Sequence, residues 1–211
     1  MTAMKQAVPI VYVVDDDVSV REALGSLFSS VGLRSETFDT AQAFLSRPRD
    51  VCPGCLVLDV RLPDISGLDV HRHIAADQFA MPVIFITAYA DVPMTVRAMK
   101  AGAREFFTKP LDDQHLLDAV RGAIAQSMSA LDREESVRTL RECYASLSRR
   151  ELQVMALVTS GLLNKQVGAE LGISEITVKA HRGNVMRKMG AASLADLVRI
   201  AARLRESPMA H

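Results

Sequence analysis

Short apolar runs alternate with helical patterns through the first 125 residues, and few folds accommodate that rhythm. Ile10-Val11-Tyr12-Val13-Val14, Cys55-Leu56-Val57-Leu58 and Pro82-Val83-Ile84-Phe85-Ile86 are too short for core helices and apolar at every position. They predict strands buried on both faces. Leu33 to Phe38 alternates as a half-exposed strand does, and Arg104 to Thr108 supplies a fifth. Between them, Val20, Leu24, Leu27, Phe28 and Val31 recur at helical spacing. Ser19-Val20-Arg21-Glu22 reads as that helix's capping box, and Gly32 as its closing residue. Thr40 to Leu45, Leu68 to Ala76, Val92 to Ala101 and the stretch after Asp112 complete the β-α units. Such alternation predicts a parallel sheet covered by helices on both faces.

In sheets of this kind a site lies beyond the carboxyl ends of the strands. Asp15-Asp16-Asp17, Asp59, Thr87 and Lys109 stand at those ends. Carboxylates gathered at one edge raise each other's pKa unless a cation neutralises them. An oxygen-only ligand set suits Mg²⁺ (or Mn²⁺). Singly, each residue has a plainer reading: the aspartates and Thr87 as helix caps, Lys109 as a solvated loop lysine. Their joint occurrence at strand ends is what points to a site.

The net charge of zero conceals a split: residues 1–125 carry −4 and residues 144–211 carry +5. A polyanionic partner is expected for the basic end. No apolar run approaches the roughly 20 residues of a membrane span, and Met1-Thr2-Ala3-Met4-Lys5-Gln6 has no signal-peptide core. A cytoplasmic location without a membrane partner is therefore expected. Cys52-Pro53-Gly54-Cys55 could be a redox pair or half of a zinc site. The only other cysteine, Cys143, is far off, and the pair enters a strand rather than the helix start that would favour a thiolate. A loop followed by a buried strand residue is the favoured reading.

In the basic end, Ser148-Arg149-Arg150-Glu151 is a capping box that opens a helix running to Gly161. Asn164 reads as the cap of a second, short helix, Ser174 of a third reaching about Met189, and Ser193 of a fourth. Gly172 permits a tight turn between the second and third, which predicts a helix-turn-helix. Wound at 100° per residue, the third helix puts Val178, Val185 and Met189 on an inner face. Lys179, Ala180, Gly183 and Arg187 fall outside with Ile176 and Asn184, flanked by Thr177 and Lys188. Small and basic residues outward suit insertion in a DNA major groove. Residues 126–143 lack Pro and Gly and read as a helical spacer.

On Asp15-Asp16, Asp59 with Pro63 and Gly67 downstream, Thr87-Ala88 and Lys109-Pro110, residues 8–125 resemble the receiver domain of bacterial two-component response regulators. On Leu147-Ser148-Arg149-Arg150-Glu151, Asn164-Lys165-Gln166-Val167 and Thr177-Val178-Lys179-Ala180-His181, residues 147–204 resemble the LuxR/NarL/FixJ DNA-binding class. The combination is most similar to FixJ-type regulators. The resemblance implies a doubly wound five-stranded parallel sheet of flavodoxin-like order 2-1-3-4-5, plus an all-α four-helix helix-turn-helix domain. It implies a receiver over 8–125, a helical linker over 126–143 and a DNA-binding domain over 144–206.

The same resemblance assigns roles. Asp59 is the phosphoacceptor. Asp15, Asp16, Asp59 and the Arg61 backbone carbonyl hold Mg²⁺. Lys109 neutralises a phosphoryl oxygen, Thr87 bonds the phosphoryl group, and Thr87 with Phe106 forms the switch; the Lys109-Pro110 bond is cis. Lys179, Ala180 and Gly183 lie at bases, although Gly183 replaces a lysine and so offers no hydrogen bond. Ile176 could touch a thymine methyl. Lys165, Arg182, Asn184, Arg187 and Lys188 suit phosphates, with Thr177 beside them. Implied partners are a sensor histidine kinase, double-stranded DNA with two-fold-related half-sites, a second copy upon phosphorylation, and RNA polymerase. No enzymatic activity is expected beyond the receiver's own phosphoryl transfer and slow dephosphorylation. Three alternatives stand beside this: a silent receiver used only for dimerisation, a Cys52/Cys55 redox sensor, and an aspartyl-phosphate phosphatase. The last usually needs a second acid two residues after the nucleophile, where Arg61 stands.

Overall fold

The computed structural model describes residues 8–48, 51–76, 81–89 and 91–206; the leader expectation for residues 1–6 lies outside them. The chain divides into two compact units, Met1–Leu131 and Asp132–His211.

In the first unit, strands β1 (Ile10–Val14), β2 (Arg34–Phe38), β3 (Gly54–Asp59), β4 (Val83–Thr87) and β5 (Glu105–Thr108) alternate with helices α1 (Val18–Ser30), α2 (Ala41–Ser46), α3 (Gly67–Ala76), α4 (Val92–Lys100) and the part of α5 (Asp113–Ala145) up to Leu131. All strand pairs are parallel, and the order is β2-β1-β3-β4-β5, as expected. The period-two geometry of strands sorts the core into two layers. Ile10, Tyr12, Val14, Leu56, Leu58, Val83 and Phe85 pack with Phe44 of α2, Val70 and Ile74 of α3 and Ala98 of α4. Val11, Val13, Cys55, Val57, Ile84 and Ile86 pack on the other face with Leu24 and Phe28 of α1 and Leu116, Leu117 and Val120 of α5. Central strands sandwiched this way have no polar face, which is why their sequences do not alternate.

Local capping differs from expectation in two places. Asp17, not Ser19, caps α1: its carboxylate accepts the Ser19 N–H at 2.8 Å, and Ser19 already lies inside the helix. Asn164 is likewise the first residue of its helix rather than its cap. There the Gln166 side chain accepts the Leu163 N–H at 2.8 Å, which frees the Asn164 amide for another partner. Helix α5 runs without a break through residues 126–143.

In the second unit, α6 (Arg149–Thr159), α7 (Asn164–Leu171), α8 (Glu175–Lys188) and α9 (Leu194–Glu206) enclose a core of Val154, Met155, Val158, Val167, Val178, Val185, Met189 and Leu197. The Ser148–Glu151 capping box is present in both directions. Gly172 takes a left-handed φ of 66° between α7 and α8. A Cβ on Gly168 would lie 2.8 Å from the Ile173 carbonyl oxygen, so the tight packing at this turn requires glycine. Among the described residues, no helix is long and apolar enough to cross a membrane.

Candidate functional site

Parallel strands share one carboxyl edge, and the order places β1 beside β3, β3 beside β4, and β4 beside β5. Val14 pairs with Leu58, Asp59 with Ile86, and Thr87 with Thr108. Asp15, Asp59, Thr87 and Lys109 therefore stand on four successive strand ends. The Lys109 ammonium donates to Asp15 Oδ2 at 2.6 Å and to Asp59 Oδ2 at 2.7 Å. Asp15, Asp16 and Asp59 each offer an oxygen within 4.8 Å of the others; Asp15 and Asp59 are buried and Asp16 is exposed. The Lys109-Pro110 peptide is cis.

Electrostatics favour a cation here. Burial pushes the Asp15 carboxyl up, against hydrogen bonds from Lys109 and the Asp17 N–H, and the Asp59 charge pushes it further. Burial alone would lower the Lys109 pKa, but its bonds to Asp15 and Asp59 outweigh that and raise it. Lys109 is one positive charge among three carboxylates. The remaining negative charge and the oxygen-only donors fit a hard divalent ion.

The other expected residues surround this pocket. Thr87 is buried, and its hydroxyl oxygen accepts the Tyr89 N–H at 3.3 Å. The Arg61 N–H donates to Asp59 Oδ1 at 2.9 Å. Phe106 pairs with Phe85 across the strands, their rings 6.4 Å apart, and packs into the layer that holds α2–α4. Phe107 packs into the opposite layer.

Four contacts around the site go beyond the sequence reading, two of them made by residues it already names, Arg61 and Gly67. Arg21 donates to the Asp15 carbonyl at 2.7 Å and so pins the acidic loop from α1. Asp64 accepts the Gln42 and Ala41 N–H groups at 2.9 and 3.3 Å, joining the loop after β3 to the start of α2. Burial would raise the Asp64 pKa, but these amides lower it. The Arg61 guanidinium lies 4.7 Å from the centre of the Tyr89 ring. Gly67 backs directly on the phosphoacceptor candidate: a Cβ there would lie 2.3 Å from the Asp59 carbonyl oxygen. Charged residues at strand-to-helix junctions carry no signal of which distant backbone they will meet.

The cysteines form no disulfide. Burial pushes the Cys55 thiol up to about 12. Cys52 packs against the layer opposite the one holding Cys55. A reactive pair needs an accessible thiolate, so the geometry lends the redox alternative no support.

In the second unit, α8 turns Val178 and Val185 inward and leaves Ile176, Lys179, Ala180, Gly183, Asn184 and Arg187 exposed. Lys179 pairs with Glu175 at 3.2 Å one turn earlier. Arg182 is half-buried and donates to Asn164 at 3.2 Å, bringing it to the start of α7 beside Lys165. The Thr177 hydroxyl lies 2.8 Å from that of Ser174 at the cap. Lys188, expected among the phosphate contacts, has inner partners: Glu151 at 2.7 Å and the Ser146 carbonyl at 3.1 Å.

Two family models match the chain. The one described as "Response regulator receiver domain" covers residues 11–121, and the one described as "Bacterial regulatory proteins, luxR family" covers residues 145–201. The chain is similar to response regulator protein TmoT of Ectopseudomonas mendocina, 48% identical over 94% of this chain and 90% of that one. It is also similar to transcriptional regulatory protein FixJ of Azorhizobium caulinodans, 43% identical over 94% and 93%. Among solved structures, response regulator StyR is 47% identical over 93% of this chain and 100% of that chain, with a TM-score of 0.84.

Proposed function

The chain belongs to the response regulators that join a receiver domain to a luxR-type DNA-binding domain, and on that premise we propose that Asp59 accepts a phosphoryl group and thereby controls DNA binding by α8. The observation that carries this reading is the doubly bonded Lys109, whose ammonium touches Asp15 and Asp59 together. A carboxylate can attack phosphorus, and phosphoryl transfer depends chiefly on positioning and charge neutralisation.

Asp15, Asp16, Asp59 and the Arg61 carbonyl would hold Mg²⁺. When bound, the ion would neutralise charge on the carboxylates and the incoming phosphoryl group. The chain's own residues do the rest. Arg21 and the Asp17 N–H hold Asp15 in place. The Arg61 N–H holds one Asp59 oxygen. Lys109 stands ready to follow the transferred charge as a point cation. The Thr87 hydroxyl, whose oxygen is already acceptor to Tyr89, keeps its proton to donate to the phosphoryl group. Its movement would make room for Phe106. The receiver serves its own phosphorylation and is not assigned an external substrate.

A sensor histidine kinase would supply the phosphoryl group, and a phosphorylated dimer would engage two-fold-related half-sites and RNA polymerase. The domain limits proposed are 8–125, 126–143 and 144–206. Lys179 and Ala180 are assigned to base edges, with Gly183 lining the groove. Lys165, Arg182, Asn184 and Arg187 are assigned to the DNA backbone, with Thr177 beside them at the cap. The test is intact-mass measurement after acetyl phosphate and Mg²⁺. Wild type should gain one phosphoryl group and Asp59→Asn none. An unmodified wild type would favour a silent receiver.

A further inference from the structure

We infer that Lys188 is a positioning residue for the recognition helix, locking α8 through Glu151, and does not itself touch DNA. This rests on the DNA-binding reading above and changes one assignment within it. Glu151 is 4% exposed, and its Oε2 accepts from both the Ser148 N–H and the Lys188 ammonium, each at 2.7 Å. The ammonium also donates to the Ser146 carbonyl at 3.1 Å. Two acceptors, the Glu151 carboxylate and the Ser146 carbonyl, therefore converge on one cation, and the Ser148 N–H holds that carboxylate in place.

The placement suits both helix ends. Lys188 is the last residue of α8 and Glu151 sits in the first turn of α6. A cation at a helix C-terminus and an anion at an N-terminus each complement the backbone dipole. Withdrawing either partner leaves the other charge partly buried and unpaired, an expensive state.

The inner face of α8 makes mainly apolar contacts through Val178, Val185 and Met189. Apolar burial is non-directional and tolerates small rotations of a helix about its axis. A charge-assisted hydrogen bond is directional. The Lys188–Glu151 pair thus fixes the angle at which Ile176, Lys179, Ala180 and Gly183 are presented. On the helical wheel Lys188 flanks the outer face on the side away from Lys179, and its bond to Glu151 draws it off that face.

The experiment uses the full chain phosphorylated with acetyl phosphate and Mg²⁺, and DNA selected from a random pool by phosphorylated wild type, with scrambled DNA as control. Affinities are measured across a salt series under conditions where circular dichroism shows each variant fully folded. Lys188→Met is expected to weaken binding to the selected DNA by about tenfold, the scale of one lost base contact. Its affinity for scrambled DNA and its salt slope should stay near wild type. A phosphate contact would instead weaken both DNAs alike and flatten the slope by about 0.9 for each subunit bound, which overturns the inference.

Glu151→Gln gives an independent arm, because it keeps the lysine and weakens its anchor. A positioning role predicts loss on selected DNA. A direct role predicts gain, since the ammonium is released toward the phosphates. The double variant should be no weaker than the weaker single one. Should wild type select no DNA at all, the DNA-binding reading itself fails, a result distinct from either outcome for the variants.

Discussion

Two single side chains anchor the two units, and each makes a prediction. Lys109 is the counter-charge for two buried carboxylates. Breaking a buried pair from one side leaves the other charge uncompensated. Lys109→Ala should destabilise the receiver by about 3 kcal/mol in metal-free urea titrations. Added Mg²⁺ should recover more stability in the variant than in wild type. A variant as stable as wild type would mean that Lys109 is not the counter-charge these two carboxylates depend on. Glu151 is the second case. Its bonds to Lys188 and the Ser148 N–H hold its carboxyl at about 2, below the ordinary 4.5. A depressed carboxyl contributes stability that is complete above its unfolded value and lost as pH falls through its folded value. The helix-turn-helix unit should therefore lose stability between about pH 4.5 and 2. Glu151→Gln should lack that component of the acid response, which thermal melts at stepped pH would reveal.

At the level of elements, glycines separate rigid from yielding neighbours. A Cβ on Gly67 meets the Asp59 carbonyl oxygen at 2.3 Å, and backbone cannot step aside. Gly67→Ala should cost about 1–3 kcal/mol as overpacking and slow phosphorylation by displacing Asp59, read from the rate with acetyl phosphate. A Cβ on Gly122 also comes within 2.3 Å of an atom, but that atom is the flexible end of Arg104. Gly122→Ala should change stability by less than about 1 kcal/mol, because the gain in helix propensity offsets the moved arginine. This contrast marks what was legible in the sequence. The strands and helices could be read because periodicity records burial directly. The convergence of Asp15, Asp59, Thr87 and Lys109 could be read because each ends a strand in one parallel sheet. The partner of a long polar side chain could not. Asp64 reaches back 23 residues to the Ala41 N–H, and Lys188 reaches 37 back to Glu151. The α1 cap differs from the sequence expectation for a related reason. Asp17 and Ser19 are both good cap residues, and only the path of the chain out of β1 chooses Asp17.

Across the whole molecule, an acidic receiver and a basic DNA-binding end share one chain, and the proposed link is the number of DNA-binding units engaged at once. Each unit exposes Lys179 and Arg187 on α8 and brings half-buried Arg182 beside α7. With Lys165, these give four cations per half-site, of which Lys179 is assigned to a base edge and the other three to phosphates. Each phosphate neutralised contributes about −0.9 to the slope of log affinity against log salt. A lone unit should therefore show a slope of roughly −3, and a dimer on two half-sites roughly twice that. Linking the two units also makes the second binding event intramolecular, which raises affinity without any new contact. Phosphorylated wild type should thus bind a two-half-site DNA with a slope about double that of Asp59→Asn, and should sediment as a dimer. On a single half-site, the two proteins should have equal slopes. If phosphorylation instead raised affinity at an unchanged slope on both DNAs, control would act within each unit, and pairing would not be the means by which charge added at Asp59 reaches the promoter.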